Sequence, residues 1–407
     1  MTIRPSSSVP ATGSYRSMGD AVTLLTRAFQ LERGLLRMLG GWMPGVPYWD
    51  AKLAMGDHLW AHAQYGSRLL KRLHELKENT AERQECQAVD ELLRGLGAAP
   101  DGTDFLCGFY GTAMSRLSGI YTAWAAQIDP VMDPFSGAIL VEATNELRGQ
   151  AEWYAAYQPA YSPGALVRNK AWSDRLAGLF DAIDLPAGQW RSDRPAPAIE
   201  EAFTCVPTPQ RDASFQTARV NEINRRTDDS FEGKRLAIFY NHTQEMQFAE
   251  SLGAILYETP EMPWAFHYDM ARHCVDEIRH TRMGCTRFEQ LGQKLHDFPM
   301  LLQNYSLRAK LDPMERFCMM TLVIEASSFE KKRAGVKMFQ EKGDEISARY
   351  ESYDIRDEMQ HVNFGHTWVP IMLRVAQDAR SVTELVQYCQ DILADALKNE
   401  RKGVSGY

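Results

Sequence analysis

Two short segments of the sequence place a glutamate three residues before a histidine. Glu277 and His280 lie in "CVDEIRHTRMG", and Glu358 and His361 lie in "IRDEMQHVNFG". Each residue of the second pair lies 81 positions after its counterpart, and the preceding aspartate and following glycine repeat at the same offset. Residues three apart share one face of a helix, so each pair can direct a carboxylate and an imidazole to one place. The repeat predicts two halves of a metal site.

A two-metal site in a helical bundle takes one further carboxylate from each of two other helices. Glu325 lies in the apolar stretch "MMTLVIEASSFEKK", 33 residues before Glu358. Glu245 precedes Glu277 by 32 residues and shares a helical stripe with apolar side chains. Four such charges in apolar stretches would be costly unless metals compensate them.

Glu250 is the alternative to Glu245 in the first of these helices. It lies five residues further on and is therefore turned about 140° away on a helix. It precedes Glu277 by only 27 residues, which does not match the spacing in the second half. The spacing favours Glu245.

The predicted ligand set contains four carboxylates and two imidazoles, which suits two iron ions or iron with manganese. Glu277 and Glu358 are the candidates for bridging the metals, and the histidines are terminal nitrogen ligands. A lone E-x-x-H on a helix is more often an exposed polar pair, but here two copies each follow a matched glutamate. The full set is Glu245, Glu277, His280, Glu325, Glu358 and His361.

Other polar residues lie within a turn of these ligands. His273 and His242 are open as further ligands, although a polar contact beside the site is the more frequent role for such residues. Asp354 is expected to orient a ligating histidine. Asp276 and Asp357 are expected to face other helices or solvent, in salt bridges with Arg279 or Arg356. Two glycines, Gly284 and Gly365, either open space for dioxygen or substrate or allow close helix packing.

The sequence resembles the ferritin-like di-iron carboxylate superfamily, most of all a bacterial branch with D-E-x-x-H in both halves. The resemblance covers residues 234–370 and rests on "EMQFAE", "DEIRH", "IEASSFE" and "DEMQH". It implies a helical bundle, a dinuclear metal site and dioxygen chemistry. Gly284 stands where the radical-generating reductase subunits of this superfamily carry a tyrosine, which argues against that role. Storage ferritins are much shorter, which favours an enzyme.

We therefore predict a non-haem di-iron oxidase or oxygenase. Dioxygen is the expected co-substrate, a small organic molecule the substrate, and an external protein or small molecule the electron donor. One alternative is an iron-handling ferroxidase, with Fe(II) itself as substrate. Another is a non-catalytic helical interaction protein with a relict metal site.

Helical periodicity dominates the chain and predicts an all-α fold. We expect an N-terminal helical domain over 1–182, a Pro-rich connector over 183–232, and a ferritin-like four-helix bundle with a last helix over 233–407. Asp312 and Pro313 should begin one helix, and Pro370 should end or kink the helix that carries His361. The predicted helices are 17–40, 48–78, 103–127, 134–157, 234–258, 261–294, 313–341, 343–369 and 381–400.

The composition excludes several classes of function. The net charge is −8 and no basic run is present, so nucleic acid is not an expected partner. The seven cysteines form no C-x-x-C pair, which is typical of reduced thiols in a cytoplasm. No apolar run is long enough for a membrane span or a signal peptide. "LVEATNEL" at 140–147 faintly echoes "VIEASSFE" at 323–330, so the N-terminal half could be a decayed second bundle that covers the site or forms a homodimer contact. His58 and His62 there are expected to be structural.

Overall fold

The structure is a computed structural model that describes residues 16–157, 163–191, 203–218 and 228–401. Helices make up most of these residues, and the strands are only two residues long. The predicted all-α class is confirmed. No helix among the described residues is both long enough and apolar enough to cross a lipid bilayer.

The chain forms two compact units whose boundaries interrupt the first two helices. These helices are α1 (Met18–Trp42) and α2 (Trp49–Glu75). The first unit comprises the described residues of Met1–Gly34 and Gln64–Ala202, and the second those of Leu35–Ala63 and Phe203–Tyr407. A segment near the N-terminus therefore packs with the C-terminal unit, an arrangement that boundaries drawn along the sequence did not include.

The first unit continues with helices that pack through apolar faces. Two of them, α3 and α7, were not identified from periodicity. A short antiparallel hairpin pairs β1 (Ile183–Asp184) with β2 (Gln189–Trp190) at the start of the predicted connector. The helices are α3 (Gln87–Gly97), α4 (Gly102–Leu106), a π-helical segment (Cys107–Met114), α5 (Ser115–Ala125), α6 (Pro134–Tyr157) and α7 (Pro163–Ala182).

The second unit contains four long helical segments that contact one another in a ring. In this ring α9 packs on α10, α10 on α14, α14 on the π-helical segment that follows α12, and α12 on α9. Strands β3 (Thr217–Ala218) and β4 (Met300–Leu301) pair in parallel beside it. The helices are α8 (Phe231–Gln244), α9 (Met246–Glu258), α10 (Trp264–Gln290), α11 (Gln303–Arg308), α12 (Pro313–Cys318), a π-helical segment (Met319–Glu325), α13 (Phe329–Glu341), α14 (Glu345–Val375) and α15 (Val382–Arg401).

The helix starts follow local chemistry, and one predicted end does not. Asp312 caps α12 by accepting the Glu315 N–H at 2.8 Å, with Pro313 at the first position, as predicted. Helix α14 continues through Pro370 to Val375, so the prediction that proline ends this helix is wrong. Val369 and Met372 on either side are buried, and their packing outweighs the single backbone hydrogen bond that proline removes.

Both single glutamates of the predicted site lie at interruptions of regular helix. Glu245 separates α8 from α9 within the predicted helix 234–258. Glu325 is the last residue of the π-helical segment Met319–Glu325, which interrupts the predicted helix 313–341. Such segments are rare in helices and are frequent at functional sites. Periodicity alone could not reveal them, because the apolar pattern continues across both interruptions.

Gly284 and Gly365 allow two pairs of helices to approach closely. A Cβ at Gly284 would lie 2.6 Å from the Thr243 backbone nitrogen and 2.8 Å from the Phe239 carbonyl oxygen. A Cβ at Gly365 would lie 2.4 Å from Thr321 Oγ1. These distances are below any normal contact, so both glycines serve close helix packing rather than opening space.

Candidate metal centre

Four buried side chains form a first cluster, here called site 1. Its ligand atoms, one from each of His273, Glu277, Glu325 and His361, all lie within 4.8 Å of one another. His273 Nε2 is 3.0 Å from Glu325 Oε1 and 3.4 Å from Glu277 Oε1. His361 Nδ1 is 3.4 Å from the same Glu277 oxygen. Two imidazoles and two carboxylates therefore face one point.

A second cluster, site 2, lies beside the first. It contains Glu245, His280, Asp354 and Glu358, whose ligand atoms again all lie within 4.8 Å of one another. His280 Nδ1 is 3.4 Å from both Glu245 Oε2 and Asp354 Oδ1. The same nitrogen is 3.8 Å from Glu277 Oε2 of site 1. Site 2 thus offers one imidazole and three carboxylates, and Glu277 lies between the two sites.

The two E-x-x-H pairs exchange their histidines. Glu277 belongs to site 1 while His280, on the same helix α10, belongs to site 2. Glu358 belongs to site 2 while His361, on the same helix α14, belongs to site 1. The 81-residue offset therefore relates the two sites as an approximate twofold axis would, and each site takes ligands from both helices.

All six predicted ligands lie in these clusters, and the structure adds two more residues. His273 was expected to make a polar contact beside the site, but it lies within site 1. Asp354 was expected to orient a histidine, but it lies within site 2. Both residues precede a predicted glutamate by four positions and are 81 apart. The offset that linked the other ligands could have identified them, although their different chemistry hid the match.

Asp276 and Asp357 contact the far side of the ligating histidines. Asp357 Oδ2 is 3.1 Å from His280 Nε2, and Asp276 Oδ2 is 3.5 Å from His361 Nε2. Arg279 donates to Asp276 at 2.8 Å and also to Asp357, so the predicted salt bridges with Arg279 are present. A metal-binding histidine commonly donates its other N–H to such a carboxylate. This contact turns the Nδ1 atom of each ring towards the clusters.

Glu250 belongs to a separate buried ion cluster. Arg211 donates to its carboxylate at 2.7 and 3.0 Å, and Lys52 forms a second ion pair with it. All three side chains are almost fully buried. The carboxylate is therefore satisfied without a metal, whereas Glu245 lies in site 2.

The clusters contain buried polar atoms that a metal ion would satisfy. An unsatisfied buried polar atom costs about 1–3 kcal/mol, so this concentration in one place is unusual. Within the described part of the chain, the ligand atoms without a hydrogen-bond partner are Glu277 Oε1 and Oε2, Glu325 Oε2, Glu358 Oε2, His280 Nδ1 and His361 Nδ1. The two clusters can therefore hold metal ions. Binding by the six predicted residues remains a prediction.

The electrostatics of site 1 allow one protonated histidine. Burial lowers the pKa of His273, but the Glu325 and Glu277 carboxylates outweigh it and raise this pKa to about 10. Burial and the nearby charge of His273 lower the pKa of His361. The two rings stack with their centroids 3.7 Å apart, so they cannot both be cationic without strong repulsion. In the absence of metal, the proton resides on His273.

The carboxylates between the sites have opposite protonation preferences. Burial raises the pKa of Glu277, but hydrogen bonds from His273 and His280 outweigh it and lower this pKa to about 2. Burial and the neighbouring carboxylates hold the pKa of Glu358 well above its ordinary value, although Lys332 opposes them. Protons thus take the place of cations in the metal-free centre, and metal binding would displace them.

Two further side chains contact site 2, and sequence reasoning did not assign either contact. Lys332 on α13 places its Nζ atom 2.6 Å from Glu358 Oε1 and 2.7 Å from Asp354 Oδ2. His242 lies 3.0 Å from Glu245 Oε2 through Nδ1 and 2.5 Å from Glu351 Oε1 through Nε2. His242, open earlier as a ligand, forms with Glu351 and Asp354 a third group of possible ligands.

A comparison with protein families covers this region of the chain. A family model described as "Protein of unknown function (DUF455)" matches residues 176–402, more than half of the chain. The chain belongs to the DUF455 family. The DUF455 match includes every residue of sites 1 and 2 and also Lys332. No curated protein and no solved structure matches the chain.

Proposed function

We propose that the second unit is a ferritin-like four-helix bundle with a dinuclear metal centre that activates dioxygen to oxidise a small organic substrate. The observation that carries this proposal is the pair of adjoining, buried four-ligand sites related by the 81-residue offset. A structural metal site is usually closed and single, whereas adjoining sites with bridging carboxylates let two metals act on one molecule.

The ligand types support iron at both sites, or iron with manganese. Each site combines carboxylate oxygen with imidazole nitrogen and contains no thiolate, which suits these metals. Five carboxylates and three imidazoles provide enough negative charge to hold two divalent or trivalent ions. Glu277, whose two oxygens face His361 of site 1 and His280 of site 2, is the best-placed bridge.

Two iron ions held here would supply the electrons that reduce dioxygen, and the protein would control what they reach. Asp276 and Asp357 orient His361 and His280. The ring of Phe364 lies 6.4 Å from that of His361, and the ring of Phe317 lies 6.5 Å from that of His273, centroid to centroid. These apolar walls exclude water, which would otherwise consume a reactive oxidant. An external donor would restore the reduced metals after each turnover.

Oxygen consumption tests this proposal. Anaerobic protein loaded with Fe(II) is mixed with dioxygen, a chemical reductant and fractions of a small-molecule extract. We expect one fraction to support repeated oxygen uptake, and mass spectrometry with labelled dioxygen should reveal a product that has gained oxygen or lost hydrogen. The Glu277→Ala variant should lose this uptake, and the matched control Glu289→Ala, an exposed residue on the same helix, should retain it.

The same experiment separates the other functions. Repeated oxidation of excess Fe(II) without any organic substrate would favour the ferroxidase. A protein that contains no stoichiometric metal after growth in iron-supplemented medium would favour the helical interaction protein with a relict site. Retention of both irons without oxygen uptake in any fraction would reject the oxidase.

A further inference from the structure

We propose that the two sites load in order, site 1 first, because the Lys332 ammonium holds the carboxylates of site 2 until a second metal competes with it. This inference rests on the proposed dinuclear centre and concerns how that centre is assembled. Lys332 would then be an internal cation that stabilises the singly loaded protein.

The contacts of Lys332 resemble those of a bound cation. Its Nζ atom lies 2.6 Å from Glu358 Oε1 and 2.7 and 2.9 Å from the two oxygens of Asp354. Two of the four ligands of site 2 thus already hold a positive charge. The Lys332 side chain retains only 15% exposure, so water screens this charge poorly.

The approximate symmetry of the two sites isolates the difference. Lys332 follows Glu325 by seven residues, and the residue seven after Glu245 is Leu252, which is buried and apolar. Asp354 of site 2 corresponds to His273 of site 1. At these two pairs of equivalent positions, the chain thus has a carboxylate and an ammonium in one half and an imidazole and an alkyl group in the other.

The extra charges of site 2 compensate each other. Site 1 contains two carboxylates, and site 2 contains three carboxylates together with the contacting ammonium. Without metal, the ammonium limits the repulsion among the three carboxylates. A metal ion entering site 2 meets a like charge within the same group of oxygens, whereas one entering site 1 meets no ammonium in contact. Site 1 should therefore bind more tightly.

The flexible lysine stem makes this competition reversible. Lys332 lies one turn into α13, and its side chain is not fully buried. A four-carbon stem can keep its apolar part packed while the ammonium moves towards water. Metal in site 2 would shift the ammonium from Asp354 and Glu358, and loss of that metal would let it return.

A manganese titration of the full-length protein tests the order of loading. Mn(II) stays divalent in air, and the electron paramagnetic resonance signal of the free ion reports how much is bound. For the wild-type protein we expect two steps whose dissociation constants differ by at least about tenfold, or about 1.4 kcal/mol. Glu245→Gln, which damages site 2, should keep only the tight step, and Glu325→Gln, which damages site 1, should keep only the weak one.

A lysine variant tests the cause. Lys332→Met should tighten the weak step at least about tenfold. The matched control Lys331→Met removes an exposed lysine from the same helix and should change neither step by more than about twofold. Circular dichroism verifies that each variant is folded, and the wild-type and glutamine-variant titrations stand without the lysine variant.

The outcomes separate this inference from the proposed function. Two equal steps in the wild-type protein, or a weak step that Lys332→Met leaves unchanged or weakens, would overturn the inference and leave the dinuclear centre intact. Failure of the wild-type protein to bind any Mn(II) or Fe(II) would overturn both.

Discussion

Asp357 on α14 lies 3.1 Å, through Oδ2, from Nε2 of His280 on α10. This contact crosses between the two helices that carry the E-x-x-H pairs. It holds the tautomer in which the ring donates to Asp357 and presents an unprotonated Nδ1 to site 2. The first residue of D-E-x-x-H on one helix thus positions the last residue of the same pattern on the other.

The first prediction follows from that contact. Asp357→Asn should weaken metal binding about 10- to 100-fold, because an amide neither favours the required tautomer nor stabilises the polarised ring. The weakened step should be the one assigned to site 2. Metal titration measures this, with the exposed Asp391→Asn as control. Unchanged affinity in Asp357→Asn would remove the orienting role.

The second prediction concerns metal content. The wild-type protein should contain about two metal ions per chain, and Glu358→Ala and His361→Ala should lower that sharply. Each removes a ligand from a different site, site 2 and site 1 respectively. Elemental analysis of purified protein measures the content, with the exposed Glu341→Ala as control. Full occupancy in both variants would contradict the ligand assignment.

The third prediction separates Glu245 from Glu250. Glu245→Ala should lose more metal than Glu250→Ala, since only Glu245 lies in a cluster. Glu250→Ala should instead destabilise the fold by about 3–5 kcal/mol, because it leaves the buried Lys52 and Arg211 without their carboxylate. Elemental analysis and urea unfolding give the two quantities. Reversal of either order would show that the two carboxylates have been assigned the wrong roles.

The fourth prediction concerns protons released by metal. The pKa of His273 is raised to about 10 and that of His280 lies well above its ordinary value, so both rings are protonated at pH 8 in the metal-free protein. A metal needs the neutral ring, so loading at pH 8 should release about one proton from each histidine. Apparent metal affinity should accordingly rise with pH until about pH 10.

A pH-indicator dye in weakly buffered solution measures this release. His273→Gln should release about one proton fewer than the wild-type protein, because glutamine carries no titrating proton. Metal binding without proton release at pH 8 would mean that the histidines are neutral before metal arrives.

The fifth prediction concerns helix packing. Gly365→Ala should destabilise the protein by about 1–3 kcal/mol, because the new methyl group would overlap Thr321 at 2.4 Å. Gly149→Ala, in α6, meets nothing within 4 Å and should stabilise by about 0.5–1 kcal/mol. Urea unfolding compares them. Equal stability of the two variants would contradict the close approach of α14 to the π-helical segment.

The sequence was sufficient to predict the helices of the second unit and six cluster residues, because apolar periodicity and a repeated offset are both local signals. It did not reveal that Glu277 and His280 serve different sites, since residues three apart share a helix face whichever neighbour that face meets. Lys332 lies in "FEKKR" and has the appearance of a solvated lysine. Only the fold shows that it reaches Asp354 and Glu358.

The exchange of histidines between the sites has a consequence for any attempt to divide the molecule. A fragment that ends after α10 retains Glu245, Glu277 and His280, but these residues belong to two different sites and complete neither. The complementary fragment, from α12 onwards, has the same defect. Metal could stably occupy such a fragment only if two chains associated face to face, each contributing its histidine to the other. Redesign of one half alone therefore changes both metals at once.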